Sequence, residues 1–378
     1  MSLSVAVAGG RERGRFSGER PTIELVWGRL LRGALVTVVL LASPAAGADS
    51  TARTPISRLA GQLVMSPMVG TTPGPELLAR VRAGEVGGVI LFGSNIRSIA
   101  ALRALTARLQ SAAAAGGNPP LLIAVDQEGG QVRRVPGAPP ELSAPELGRT
   151  SEAAVRRVGV STGQALRAAG VNVDLAPVVD VPRWPRSFML DRAFGSDPAR
   201  VAALGSAFVA GVQSAGVAAT AKHFPGLGTA IANTDAHRVT IRASRADLLR
   251  RLEPFRAAIA RGVDLVMVSN AVYSPLDPSG LPAVLSPSIV GSLLRGTLGF
   301  DGVVITDTLA APGPAAYADA PVRTIEAGGD VLLFTSSEGQ ANRGYAQLVA
   351  AVRSGRLTRG RLEVSYRRVA ALKSRLAG

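Results

Sequence analysis

The chain has 378 residues, is 47% hydrophobic and 4% aromatic, and carries a formal net charge of +15. That length is enough for one large domain or two ordinary ones with a proper core. The absence of cysteine excludes disulfides, thiolate metal sites, a cysteine nucleophile and lipid attachment through an N-terminal cysteine.

The first predicted element is an export signal. Gly33–Ala42 is an apolar run preceded by Arg29 and Arg32 and followed by Pro44-Ala45-Ala46-Gly47-Ala48-Asp49. A basic flank, a short apolar core and a small-residue ending are the parts of a secretory leader, with cleavage expected after Ala48. The run is short for a membrane span, so residues 1–48 read as a signal peptide, with an uncleaved anchor as the alternative. Residues 49–378 then form the working domain of an exported or envelope-associated protein.

From Thr54 onward, short apolar runs alternate with amphipathic stretches. The runs are Gln62–Met68, Val86–Phe92, Leu121–Asp126, Val171–Pro177, Val217–Lys222, Val263–Ser269, Gly302–Asp307 and Asp330–Phe334. The helical patterns include Ser98–Ala114, Glu152–Ala169, Pro198–Ala215, Ala243–Arg261, Ser286–Leu298, Glu338–Ser354 and Arg359–Leu376. The runs are apolar almost throughout, as expected of parallel strands covered on both faces. Eight of them with helical crossovers predict a single-domain (β/α)8 barrel of the TIM type, with a doubly wound open sheet as the competing arrangement. Gly116–Pro120 and Pro312–Pro314 read as loops.

The arginines are scattered along the helical patterns, as at Arg156, Arg157, Arg250 and Arg251, with no interleaved aromatic platform. Solvated helix faces explain them better than nucleic acid does. The same charge suits peripheral attraction to an anionic cell envelope.

Barrel enzymes build their sites at the C-terminal ends of the strands, and here those ends are polar. The third run ends in Asp126-Gln127-Glu128-Gly129-Gly130, followed by Arg133-Arg134. The fourth carries Asn172 and Asp174 and continues to Asp180. The fifth ends in Lys222-His223, the sixth in Ser269-Asn270 and the seventh in Thr306-Asp307-Thr308. Both histidines of the chain, His223 and His237, and one of its two lysines lie between Lys222 and His237. Histidine changes charge near neutral pH, so proton transfer is expected there. A ring of acids with basic partners suits a polyhydroxylated ligand. Plainer readings exist for each residue: Asp126 capping the glycine turn, Asp307 capping a helix, Lys222 in a structural ion pair, His223 as a core histidine, Asp235-Ala236-His237 as a polar turn. Gly226-Leu227-Gly228 is a weak phosphate-loop signal, lacking a third glycine.

Taken together, Lys222-His223-Phe224-Pro225-Gly226 with the later Asp235-x-His237, Asp126-Gln127-Glu128-Gly129-Gly130 with Arg134, and Gly302-Val303-Val304-Ile305-Thr306-Asp307 resemble glycoside hydrolase family 3, in its bacterial β-N-acetylglucosaminidase branch. Asn172-x-Asp174-x-Ala176-Pro177-Val178-x-Asp180 and Asp191-Arg192-Ala193-Phe194-Gly195 agree in spacing. So does the stretch from Leu285-Ser286 to Leu298-Gly299-Phe300. The resemblance implies a (β/α)8 barrel and a retaining exo-β-N-acetylhexosaminidase that needs no cofactor or metal. It implies Asp307 as nucleophile, His237 as acid/base and Asp235 as its orienting partner. Asp126, Arg134, Arg192, Lys222 and His223 would hold a terminal N-acetylglucosamine of a peptidoglycan-derived glycan, and the protein would act as a monomer. Chemically, such an enzyme needs a carboxylate on one side of the anomeric carbon and a proton donor at the leaving oxygen.

Three departures stand out. Leu227 and Asn270 occupy positions where the family commonly has histidine, and the segment from Lys222 to Asp235 is about two residues longer than the family pattern. A sugar-binding relative with weak or no turnover, and a β-glucosidase of the same family, are the competing functions.

Overall fold

The computed structural model describes residues 54–377 except Trp184, and the leader-like segment lies outside them. Eight strands hydrogen-bond side by side in chain order: β1 (Val64–Pro67), β2 (Gly88–Ile90), β3 (Leu122–Val125), β6 (Val173–Asp174), β7 (Ala218–Phe224), β8 (Leu265–Val268), β9 (Val303–Thr306) and β10 (Leu332–Leu333). Every named pairing between them is parallel. β10 pairs with β1, and a parallel bridge between Ile305 and Val331 joins β9 to the start of β10. The sheet therefore closes, and the (β/α)8 barrel is the architecture. Seven of the eight expected apolar runs contain one strand whole, and the fifth, Val217–Lys222, is overrun by β7, which continues to Phe224.

The strands are buried along their whole length, which is why they carry no polar alternation. β7 is built largely of alanine and threonine, and the helices around it are small-residue helices too. Glu152–Ala168 and Pro198–Ser214 approach backbone to backbone. A Cβ on Gly211 would lie 2.3 Å from the Arg156 carbonyl, and one on Gly159 would lie 2.7 Å from the Phe208 carbonyl.

Several helices differ from the periodicity. Ala243–Arg261 is two helices, Arg245–Arg250 and Glu253–Ala260. Pro254 sits in the first turn of the second, where its missing N–H costs nothing, and cannot continue the first. Pro287–Thr297 winds as a π-helix. Pro312–Ala315 forms one helical turn where Pro312–Pro314 was expected as loop. A two-stranded hairpin, β4 (Gln127–Gly129) with β5 (Val132–Arg133), is inserted after β3.

The second lysine ties the end of the chain to the barrel floor. Lys373, on the helix Arg359–Ala377, is buried, and its Nζ donates to Gln62 Oε1 at 2.6 Å and to the Gly87 carbonyl at 2.7 Å. No carboxylate balances it among the described residues, and burial pushes its pKa from 10.5 down to about 7. A neutral amine still has two N–H groups, one for each acceptor. Because the unfolded chain binds the proton more tightly, stability rises with pH between about 7 and 10.5. Denaturant titrations over that range should show wild type gaining stability relative to Lys373→Met. The variant should also be the less stable protein at high pH, since it strands two buried acceptors at about 1–3 kcal/mol each.

Candidate active site

The polar strand ends converge on one pocket of about 420 Å³, lined among others by Asp126, Glu128, Arg134, Arg192, Lys222, His223, Asp235 and Asp307. Lys222 and His223 are consecutive, yet both line it. Side chains on a regular strand alternate in direction. Here the register between β7 and β8 shifts between Lys222 and Phe224, and such a bulge turns neighbouring side chains toward the same side. The Lys222–His223 peptide is cis.

Lys222 is 2% exposed, and its Nζ lies 2.6 Å from Asp126 Oδ1 and 2.7 Å from Glu128 Oε1. Arg192 grips Glu128 with both arms of its guanidinium, at 2.9 and 2.6 Å. The cluster thus pairs two carboxylates with two cations. Burial alone would raise the Glu128 pKa, but Lys222 and Arg192 overcome it and hold the carboxyl down at about 2. Burial likewise works against the charge on Lys222, and Asp126 and Glu128 outweigh it, raising its pKa. Asp126 therefore serves the ion cluster rather than capping the glycine turn.

Two further acids shape the floor. Asp180 is buried, and its Oδ2 lies 2.7 Å from His223 Nδ1. Its Oδ1 accepts the N–H of Leu227 at 2.6 Å and of His223 at 3.3 Å, so one carboxylate fixes both the imidazole and the turn after β7. Asp174 accepts the Gln127 N–H at 3.1 Å, but its Oδ2 is buried without a partner. Burial drives its pKa well up, disfavouring the charged form. Gln127 is wholly buried and makes four side-chain bonds: to the N–H groups of Arg134 and Val135 and to the carbonyls of Ala138 and Pro139. This pins the β4–β5 insertion and brings Arg134 to the pocket. Arg134 Nε is buried and unbonded.

Asp307 follows β9, and its Oδ1 accepts the Thr308 N–H at 2.7 Å. The next helical turn begins only at Pro312, so helix capping is not its role. Asp235, on the loop after β7, lines the same pocket. Protein atoms crowd that carboxyl although it is open to pocket water. This partial desolvation, reinforced by the charge of Asp307, pushes its pKa up to about 6. The loop carrying Asp235 is an Asn233 turn: Asn233 Oδ1 accepts the Asp235 N–H, and its carbonyl accepts the N–H groups of Ala236 and His237. His237 is exposed, is not among the residues lining the pocket, and its ring makes no hydrogen bond among the described residues. The expected Asp235–His237 contact is thus not made in this structure, while Asp235 itself reaches the site.

A model of the glycosyl hydrolase family 3 N-terminal domain matches residues 58–372. The chain belongs to glycosyl hydrolase family 3. An "uncharacterized secreted glycosyl hydrolase" of Arthroderma benhamiae is 38% identical over 354 residues, covering 90% of this chain and 99% of its own length. A "beta-hexosaminidase" of Stenotrophomonas maltophilia K279a is 38% identical over 283 residues, covering 70% of this chain and 82% of its own. Among solved structures, a family 3 β-N-acetylglucosaminidase from Paenibacillus sp. FPU-7 superposes with a TM-score of 0.83 at 37% identity. That alignment covers 86% of this chain and 63% of the other, so the present chain spans less than two thirds of that enzyme. The protein is a β-hexosaminidase-like family 3 glycoside hydrolase acting on carbohydrate.

The departures from the family pattern have structural readings. Leu227 is buried in the core cluster while also lining the pocket. Asn270 donates to the Thr308 carbonyl at 2.8 Å, so it steadies the chain beside Asp307. Gly228 reads as close approach rather than phosphate binding, since a Cβ there would sit 1.8 Å from the Val181 carbonyl. Sequence reasoning underrated Glu128, Asp174 and Asp180. Their strand-end placement was the available signal, but only the fold shows that Glu128 joins Lys222 to Arg192.

Removing Lys222 leaves Asp126 without its cation and Glu128 with Arg192 alone. Lys222→Met should therefore cost about 3–5 kcal/mol of folding stability. Adding Glu128→Gln should recover part of the loss, measured as a double-mutant cycle by denaturant unfolding.

Proposed function

We propose that the protein is a retaining, exo-acting β-N-acetylhexosaminidase that removes terminal N-acetylglucosamine from peptidoglycan-derived glycans outside the cell. The observation that carries this reading is that two carboxyls, Asp307 and Asp235, line one pocket with a fixed ion cluster and are close enough for the charge of one to shift the other. Lys222, Arg192, Asp126, Arg134 and His223 supply donors and acceptors for the hydroxyls of one terminal sugar. The names of the relatives support the substrate class. The leader-like segment supports export, as does the word "secreted" in one relative's name.

In this reading Asp307 attacks the anomeric carbon while Asp235, protonated because of its raised pKa, gives its proton to the departing oxygen. The leaving group departs as an alcohol and a glycosyl–Asp307 ester remains. Asp235, now a carboxylate, takes a proton from water as the water attacks the same carbon, and Asp307 is released. The resemblance would instead assign proton donation to His237 with Asp235 orienting it. The geometry favours Asp235, because it lines the pocket and His237 does not.

Two measurements test these roles. A 2-acetamido-5-fluoro glycosyl fluoride should trap a covalent adduct that peptide mapping places on Asp307, and labelling of any other residue would overturn the nucleophile. With a poor leaving group, kcat/KM should fall as pH rises through about 6, because the donor must be protonated. Asp235→Asn should abolish that limb and lower the rate by about 10²–10⁴, whereas His237→Ala should cost less than about tenfold. Equal losses in the two variants would return the proton to the imidazole.

A further inference from the structure

His223 has one ring nitrogen committed and one free. Its Nδ1 lies 2.7 Å from Asp180 Oδ2, and both residues are buried. Its Nε2 makes no hydrogen bond among the described residues and is not one of the enclosed, unpartnered atoms. It is therefore the ring nitrogen open to the catalytic pocket that His223 lines. Which nitrogen carries the proton of the neutral ring decides whether that open position accepts a hydrogen bond or donates one.

The backbone around Asp180 settles the choice. Residues 176–179 run alongside β7: the Thr220 N–H donates to the Ala176 carbonyl at 2.8 Å, the Lys222 N–H to Pro177 at 3.2 Å, and the Val179 N–H to Lys222 at 2.8 Å. That ladder delivers Asp180 to His223. Oδ1 then accepts two backbone N–H groups, from Leu227 at 2.6 Å and from His223 itself at 3.3 Å. The turn carrying Leu227 is held in addition by the Tyr273 hydroxyl, which donates to the Gly226 carbonyl at 3.1 Å, and by the Gly226 N–H, which donates to the His223 carbonyl at 2.8 Å. The two backbone donors are therefore fixed in place, and Oδ1 can only accept. A carboxyl with one oxygen taken by two N–H bonds suits the carboxylate form, whose oxygens are acceptors alone. Oδ2 thus needs a donor, and the atom against it is Nδ1.

We propose that Asp180 is a positioning residue that locks His223 as its Nδ1–H tautomer, so that Nε2 presents a lone pair to the pocket and accepts a hydrogen bond from a hydroxyl of the terminal sugar. This polarity rests on the hexosaminidase reading, and it deepens that reading by making His223 the acceptor among basic residues that only donate. Lys222, Arg134 and Arg192 have no acceptor atom, and Asp126 shares its charge with Lys222. A neutral acceptor beside them binds a hydroxyl through its hydrogen without adding another desolvated charge, which a further carboxylate would do. A ligand group that accepts but cannot donate, such as fluorine, finds no partner at Nε2.

His223 and His237 are the only imidazoles of the chain, which makes the tautomer directly readable. The full chain labelled with ¹⁵N-histidine and carrying His237→Ala has one ring in its nitrogen spectrum. Well above the ordinary imidazole pKa of about 6.5, that ring should show a protonated Nδ1 and a bare Nε2. A proton on Nε2, whether in the other tautomer or in a ring that stays doubly protonated, would overturn the proposal, and this reading needs neither turnover nor a change at Asp180. In Asp180→Asn the single amide oxygen should keep the two fixed backbone N–H groups, so the amide NH₂ comes to face Nδ1. The ring proton should then move to Nε2 in the same spectrum. Kinetics on the 3-, 4- and 6-deoxyfluoro analogues of nitrophenyl N-acetylglucosaminide read the consequence. At the position His223 contacts, fluorine should cost wild type about tenfold in kcat/KM, the net value of one hydrogen bond. Asp180→Asn should lose several-fold less there, since its Nε2–H can donate to fluorine. A merely structural Asp180 would lower the rate on hydroxyl and fluoro substrates alike and leave the tautomer unchanged, and fluorine penalties equal in both proteins at every position would overturn the acceptor role. If no glycoside is hydrolysed while the spectrum shows the Nδ1–H ring, the hexosaminidase reading fails and the role of Asp180 toward His223 stands.

Discussion

One buried amine organises this site. Lys222 sits between Asp126 and Glu128, and Glu128 is gripped from its other side by Arg192. Taking four charges out of water is costly, and the cost is offset only while each keeps its partner. The arrangement gives little net stability, but it fixes geometry. Three strand-end segments are tied at one point, after β3, after β6 and at the end of β7. Hydroxyl-binding groups held this way need not reorganise when a sugar arrives, which is where preorganisation improves binding. Asp174 is a further buried carboxyl in the field of this cluster. A third buried carboxylate with no cation of its own is most stable uncharged, and its raised pKa is the consequence.

Much of the fold was legible because burial on both faces leaves a plain signature: eight short apolar runs at regular intervals, each followed by a helical pattern. What the pattern could not show were features set by contacts. Ala243–Arg261 has one continuous amphipathic period, yet Pro254 breaks it, a local rule that periodicity overrides when read over a long window. The β4–β5 insertion depends on Gln127, whose four bonds run to backbone groups that no sequence pattern marks. At the site, residue types at strand ends were readable and their partners were not. Lys222 and Asp126 were both singled out, but Glu128, the residue that joins Lys222 to Arg192, is visible only once the barrel brings distant loops together. His223 shows the same limit: core histidine and site residue were offered as alternatives, and it is buried against Asp180 while also lining the pocket. Asp235 and His237 show it most clearly. Their spacing suggests a pair, but the turn set by Asn233 decides which of them faces the pocket.

That turn has a consequence for the proposed chemistry. Part of the rise in the Asp235 pKa comes from the negative charge of Asp307. On the proposed roles, this charge disappears when Asp307 becomes a glycosyl ester. Desolvation, the larger cause, remains, but the contribution of Asp307 is then gone at the step where Asp235 has just given its proton away. Asp235 becomes a carboxylate suited to accept a proton from water, and hydrolysis of the ester restores the charge on Asp307 and with it the affinity of Asp235 for its proton. The charge on Asp307 therefore modulates the proton affinity of Asp235 through the cycle.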